Sequence, residues 1–239
     1  LKYYYSSPGD CLNVLKEMNI KKLLISFACD AKRLIKEVDE NYDILIDSGA
    51  FSVWNSGKIV DIDEYLNFIK KIPKKWNCIS LDIISDSHSK KERQKCAELG
   101  FENYLYLSKY KKNIIPTYHS GEDLTILKRY LDYTDYISIA FHTDKEVGGT
   151  AIDFFNTVFA ITENKIKVHG LGNTRIDYLL RYPFYSVDSI TYKKVKVMTG
   201  GYWGLGTKLK ALIYNNIREW EYLERQLTNL WKIRGVEWQ

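Results

Sequence analysis

Short apolar runs alternate with longer stretches whose apolar residues recur at helical spacing, and the two kinds of segment trade places along most of the chain. The runs at 21–28 (KKLLISFA), 42–46 (YDILI), 76–84 (WNCISLDII), 113–119 (NIIPTYH), 136–141, 165–170 (KIKVHG) and 186–191 have the length and composition of buried strands. An eighth run covers 195–199. Between them, Ile62, Tyr65, Leu66, Ile69 and Ile72 mark one amphipathic helix. Leu124, Leu127 and Leu131 mark another, and Ile152, Phe155 and Phe159 a third. Asp61, Ser120 with Asp123, Thr150 with Asp153 and Thr174 with Asp177 supply helix starts. Asp10 and Asp30 are expected to cap helices that run to Met18 and Val38. Residues 89–99 read as helix. Residues 207–232 read as one long helix with Leu209, Leu212, Ile213, Leu223, Leu227 and Leu230 on a stripe. Residues 1–9 read as an aromatic segment followed by a turn.

A strand–helix cycle repeated about eight times, at roughly 25–35 residues each, predicts a (β/α)8 TIM barrel in a single domain over residues 1–239, with a long C-terminal helix. An open doubly wound sheet is the alternative. It would carry a glycine-rich phosphate turn after the first of these strands, where SFACDA stands instead.

Hydrophobic residues make up 45% of the chain, which permits a sizeable core. The net charge of +5 is compatible with a polyanionic partner without requiring one. Nineteen tyrosines and six tryptophans supply core and also surface for stacking on planar ligands. Cys11, Cys29, Cys78 and Cys96 lie far apart, with no CxxC pair among them. They read as reduced thiols in a cytoplasmic protein, and neither a metal nor a cofactor is expected. No signal pattern and no apolar run of membrane-spanning length is read, so no membrane partner is expected.

A barrel collects its chemistry at the C-terminal ends of its strands. There the sequence places Asp47 before Ser48 and Gly49, then Asp82, His119, Ala140 and Phe141, His169 with Gly170, and Asp188. Taken singly, each acid can pin a loop and each histidine can be a satisfied core residue. Asp47 and Asp188 are expected to face each other across one pocket. Two such carboxylates suit substitution at a sugar's anomeric carbon, one attacking and the other managing a proton. Spacing does not separate O-glycosides from N-glycosides. Lys193, Lys194 and Lys196, followed by Tyr202 and Trp203, offer phosphate contacts and base stacking just after the second acid.

IDSGAFS at 46–52, SLD at 80–82, HGLGNTRIDYLL at 169–180 and YSVDS at 185–189 resemble the tRNA-guanine transglycosylase superfamily. They are most similar to its compact branch, the 7-deazaguanine DNA transglycosylases of phages and bacterial gene clusters, over roughly residues 20–205 in consistent order. The resemblance implies exchange of a guanine for a free 7-deazaguanine base of preQ0 type, through a covalent aspartyl–sugar intermediate. It implies Asp188 as nucleophile, Asp47 as general acid/base and Asp82 as the reader of the purine's Watson–Crick edge. Ser48, Gly49, His119, Ala140, Phe141, His169 and Gly170 fall at base-binding positions.

Two departures stand out. His119 replaces a glutamine, and Ala140-Phe141 replaces a Gly-Gly. The tRNA enzymes' cysteine-rich zinc site has no counterpart after Cys96. DNA is therefore the expected partner rather than tRNA, in the cytoplasm, or in the host's if a phage encodes the chain. The alternatives are a tRNA-directed transglycosylase or N-glycosidase using the same two aspartates, and a non-catalytic barrel that binds nucleic acid or nucleobase.

Overall fold

The computed structural model describes residues 1–51, 59–85, 87–141, 149–193 and 206–238. Strands and helices alternate as β1 (Lys2–Ser6), α1 (Leu12–Glu17), β2 (Lys22–Ser26), α2 (Ala31–Leu34), β3 (Asp43–Asp47), α3 (Ile62–Ile69), β4 (Asn77–Ile79) and α4 (Lys90–Ser108). They continue as β5 (Ile114–Ile115 and Thr117–His119), α5 (Leu124–Leu131), β6 (Tyr136–Ala140), α6 (Ala151–Thr162), β7 (Lys167–Gly170), α7 (Ile176–Arg181), β8 (Ser186–Ser189) and α8 (Gly206–Ile233).

All strand pairs are parallel. β5 is one strand interrupted at Pro116, which has no N–H to donate. Its first half pairs with β4 and its second half with β6, and the Pro116 carbonyl still accepts from Ser138 N at 2.8 Å. The sheet thereby closes into an eight-stranded (β/α)8 barrel.

Closure changes which segments supply the strands, not their expected number. β1, which pairs with β2 on one side and β8 on the other, is the segment read from sequence as aromatic and turn-like. The strand expected at 195–199 lies outside the described residues. KYYYS hides its strand character because both faces are buried. Tyr4 points into the barrel, whereas Tyr3 and Tyr5 point out toward α8. Tyr3 stacks on Trp220 at 4.3 Å, and the Tyr5 hydroxyl donates to Glu221 at 3.0 Å. Lys22 Nζ reaches both carboxylate oxygens of Glu224 at 2.6 Å, so α8 is held against β1 and β2 by apolar and charged contacts together.

Local caps match the sequence at Asp61 and Thr150, whose side chains accept from the first-turn N–H groups of α3 and α6. Asp123 does the same for α5. Asp10 does not cap α1, which starts after Cys11; its carboxylate pairs with Lys193 instead. Asp30 precedes α2 without a side-chain cap bond, and that helix ends at Leu34, short of Val38. The start expected from Thr174 and Asp177 carries no side-chain cap either. α4 runs on through Gly100 to Ser108, because burial of Phe101, Tyr104 and Leu107 outweighs the cost of about 1 kcal/mol for a helical glycine.

Inside the barrel, Tyr4, Leu24, Leu45, Ile79, Ile115 and Tyr136 form an apolar layer. Side chains alternate along a strand, so the next inward positions are Ser6 on β1, Ser26 on β2 and Asp47 on β3. The same alternation turns His119 on β5 and Asp188 on β8 inward. The apolar layer is thus a floor, and the polar residues above it form the C-terminal mouth. Among the described residues no helix is long and apolar enough to cross a membrane.

Candidate active site

The mouth carries an arc of polar and ionisable groups. Passing round the barrel from β8 through β1 and β2 to β3, β4 and β5, it holds Asp188, Ser6, Ser26, Asp47, Asp82 and His119. Asp47 and Asp188 therefore stand three strand places apart at one rim, close enough for the Asp188 charge to bear on Asp47.

Asp47 is half-buried at the last position of β3. Burial raises its pKa to about 7, with Asp82 and then Asp188 adding to the rise and the Gly49 N–H opposing it. At neutral pH it can both give and take a proton. The chain leaves β3 through Ser48 and Gly49. Gly49 has φ +82°, and a Cβ there would stand 2.4 Å from the Ala28 Cβ and 2.6 Å from the Ser26 Oγ. Glycine alone lets the loop turn this tightly beside the carboxylate.

Asp188 is buried and gripped from two sides. Ser6 Oγ donates to Oδ2 at 2.5 Å, and Gly172 N donates to Oδ1 at 2.9 Å. His169, fully buried, lies beneath it with Nε2 3.3 Å from Oδ1. That contact falls short of hydrogen-bond geometry, and Nε2 has no hydrogen-bond partner among the described residues.

Asp82, just beyond β4, accepts from His119 Nε2 at 2.9 Å and more loosely from Ser48 Oγ at 3.4 Å. His119 is held on its other side by Glu122, with Nδ1 3.0 Å from Oε1 and its backbone N–H donating to Oε2 at 3.1 Å. Burial opposes a charge on this imidazole, but the adjacent Glu122 and the hydrogen bonds to Asp82 and Glu122 outweigh it and raise its pKa to about 10. An imidazolium between two carboxylates brings positive charge to an otherwise acidic arc.

The remaining predicted residues divide by direction. Ala140 ends β6 facing the mouth. Phe141 turns away, its ring 6.1 Å from Phe154 and 6.3 Å from Phe155 on α6. Gly170 faces outward, where a Cβ would meet the Phe184 ring at 2.8 Å, so packing demands this glycine. Both ring nitrogens of His119 are engaged, so it orients Asp82 rather than presenting a nitrogen to a ligand. Lys193 is tied to Asp10 and the Ser7 carbonyl. Lys194, Lys196, Tyr202 and Trp203 lie outside the described residues.

Ser6, Glu122, Ser186 and Tyr136 join the site or its support without having been singled out from sequence. Glu122 stands one helical turn's spacing after His119, a signal the sequence does carry. Ser6 would follow from reading KYYYS as a strand, since it is that strand's last inward residue. No protein-family model matches the chain, and no curated protein matches it. Among solved structures, the chain is similar to thiamine phosphate pyrophosphorylase from Bacteroides thetaiotaomicron. Sequence identity is 11%, 96% of this chain and 98% of that one are covered, and the TM-score is 0.42. A likeness at that level carries no argument about activity.

Proposed function

We propose that the chain is a base-exchange transglycosylase that replaces guanine in DNA with a 7-deazaguanine base. The observation that carries this reading is a pair of carboxylates in unlike surroundings at one barrel mouth. Asp188 is oriented by Ser6 and Gly172, and Asp47 is poised near pH 7. Environments that differ in this way suit a fixed nucleophile and a proton carrier.

In the first half-reaction an Asp188 oxygen bonds to the anomeric carbon as the carbon–N9 bond breaks. The electron pair leaves with the guanine, and Asp47 supplies its proton. In the second half-reaction the incoming base gives its own ring N–H proton to the Asp47 carboxylate and attacks the same carbon, and the Asp188 carboxylate departs. The two halves are mirror images, so one acid/base with a pKa near 7 serves both. Asp82, anchored by His119, keeps acceptor capacity on Oδ1 for the N–H donors of a purine's Watson–Crick edge. A base stacked in a duplex cannot reach this mouth, so the nucleotide is extruded or taken from a single strand.

The test is incubation of the protein with radiolabelled guanine and, separately, duplex DNA, single-stranded DNA and tRNA. Label incorporated into DNA supports the reading. Incorporation into tRNA alone moves the substrate to RNA, and release of guanine without incorporation makes the chain an N-glycosidase. No turnover on any of them refutes the proposal.

A further inference from the structure

Beneath Asp188 the barrel interior holds a line of polar side chains that exchange chemistry does not touch. The Tyr136 hydroxyl lies 2.6 Å from Ser186 Oγ, which lies 2.7 Å from His169 Nδ1. His169 Nε2 then faces Asp188 Oδ1 at 3.3 Å. Ser186 and His169 have no exposed surface, so bulk water does not set the direction of these bonds.

Two directions are available. If Nδ1 carries the proton and donates to Ser186, the bare Nε2 lone pair points at a carboxylate in a poorly screened interior, which is repulsive. If Tyr136 donates to Ser186 and Ser186 donates to Nδ1, the proton sits on Nε2 and points at Oδ1. Every contact is then attractive. In the second direction the Nε2 proton, which meets no acceptor at full hydrogen-bond geometry, faces Oδ1 of Asp188 at 3.3 Å and needs only a small shift to bond it. The hydrogen bond on one ring nitrogen thus selects what the other presents.

Resting on the transglycosylase reading above, we propose that His169, held as its Nε2–H tautomer by Tyr136 and Ser186, is the positioning residue of the nucleophile. Together with the Gly172 N–H it fixes Oδ1 and leaves Oδ2 as the attacking atom. Oδ1 becomes the carbonyl oxygen of the aspartyl–sugar ester and keeps both donors throughout. Oδ2 holds one rotatable hydroxyl, that of Ser6, which turns away as the Oδ2–carbon bond forms. The departing base takes the electron pair of the broken carbon–nitrogen bond and a proton from Asp47. Nothing is transferred to or from His169.

The first test does not depend on turnover. Long-range proton–nitrogen correlation spectra of protein labelled with 15N-histidine report which ring nitrogen is protonated, and loss of one signal set in His169→Gln assigns it among the four histidines. At pH 7 we expect the Nε2–H pattern, moving toward mixed tautomers in Ser186→Ala. A proton on Nδ1 in the wild-type protein overturns the inference whether or not the protein exchanges bases. Guanine incorporation by the wild type decides the underlying reading by itself.

The second test is kinetic. His169→Gln can still present an N–H to Oδ1 and should stay within about 10-fold of wild-type kcat. His169→Leu, of similar bulk and without a donor, should lose about 100-fold in kcat with the nucleic-acid KM unchanged, the scale of one hydrogen bond to a charged group. Equal losses in the two variants, with matching circular dichroism, would show that His169 only fills space.

Discussion

Replacing Asp47 with asparagine should stop base exchange and, at the same time, stabilise the fold above neutral pH. Burial, with help from Asp82 and Asp188, lifts the Asp47 carboxyl from 3.8 to about 7. The native protein therefore holds this proton where the unfolded chain has released it. Native stability from this group falls as pH rises from 3.8 to about 7 and is level above that; below 3.8 there is no effect. A gap of about three pH units sets a ceiling of about 4 kcal/mol on the cost. Water reaches the half-buried side chain and screens it, so about 1–2 kcal/mol is the expected gain for Asp47→Asn at pH 8. At roughly 2–4 °C per kcal/mol for a chain of this size, the melting temperature should rise by about 2–8 °C. Urea unfolding of wild type and variant at pH 5 and pH 8 is the assay, since part of the cost is already present at pH 5 and more appears by pH 8. An advantage equal at the two pH values, or a variant less stable than wild type at pH 8, would refute a carboxyl crowded by burial and like charge.

Asp188→Asn should lose exchange by several orders of magnitude while still binding nucleic acid, because an amide of the same shape cannot attack carbon. Wild-type protein mixed with DNA in the absence of incoming base should form a denaturation-resistant adduct; the same adduct in Asp188→Asn, or one mapped by mass spectrometry to another residue, would reassign the nucleophile. His119 should titrate by NMR near pH 10, and Glu122→Gln should lower that midpoint by about 1–3 units. Because the folded value lies above the ordinary 6.5, the stabilisation from His119 is complete below that pH and disappears as pH rises through about 10. A midpoint unmoved by Glu122→Gln would mean that the clamp does not hold the charge. Gly49→Ala should destabilise by about 2–4 kcal/mol, read by chemical denaturation, since the left-handed backbone and the 2.4 Å approach to Ala28 act together. A neutral substitution there would show that the loop is free to open.

Much of the barrel was legible along the chain because its signals are short-range. YDILI followed by Asp47 reads as a buried strand delivering an acid, and Asp61 and Thr150 mark helix starts through bonds to residues two or three positions away. The candidate acids were legible for the same reason, since each ends a run of strand character. What closure decides was not. KYYYS lost its alternation because a barrel interior and a terminal helix bury both its faces, so the strand that completes the ring read as an aromatic segment before a turn. The surroundings of Asp188 come from Ser6, 182 residues away, and from His169 on the neighbouring strand. The elevated pKa of Asp47 needs burial and the approach of Asp82 and Asp188, none of which local spacing contains. The sequence by itself determined which groups lie at strand ends, because the strand period is local. Only the tertiary structure decided which of them share a mouth, which are desolvated and which hydrogen bonds aim them, because those follow from contacts that form when the eight strands meet.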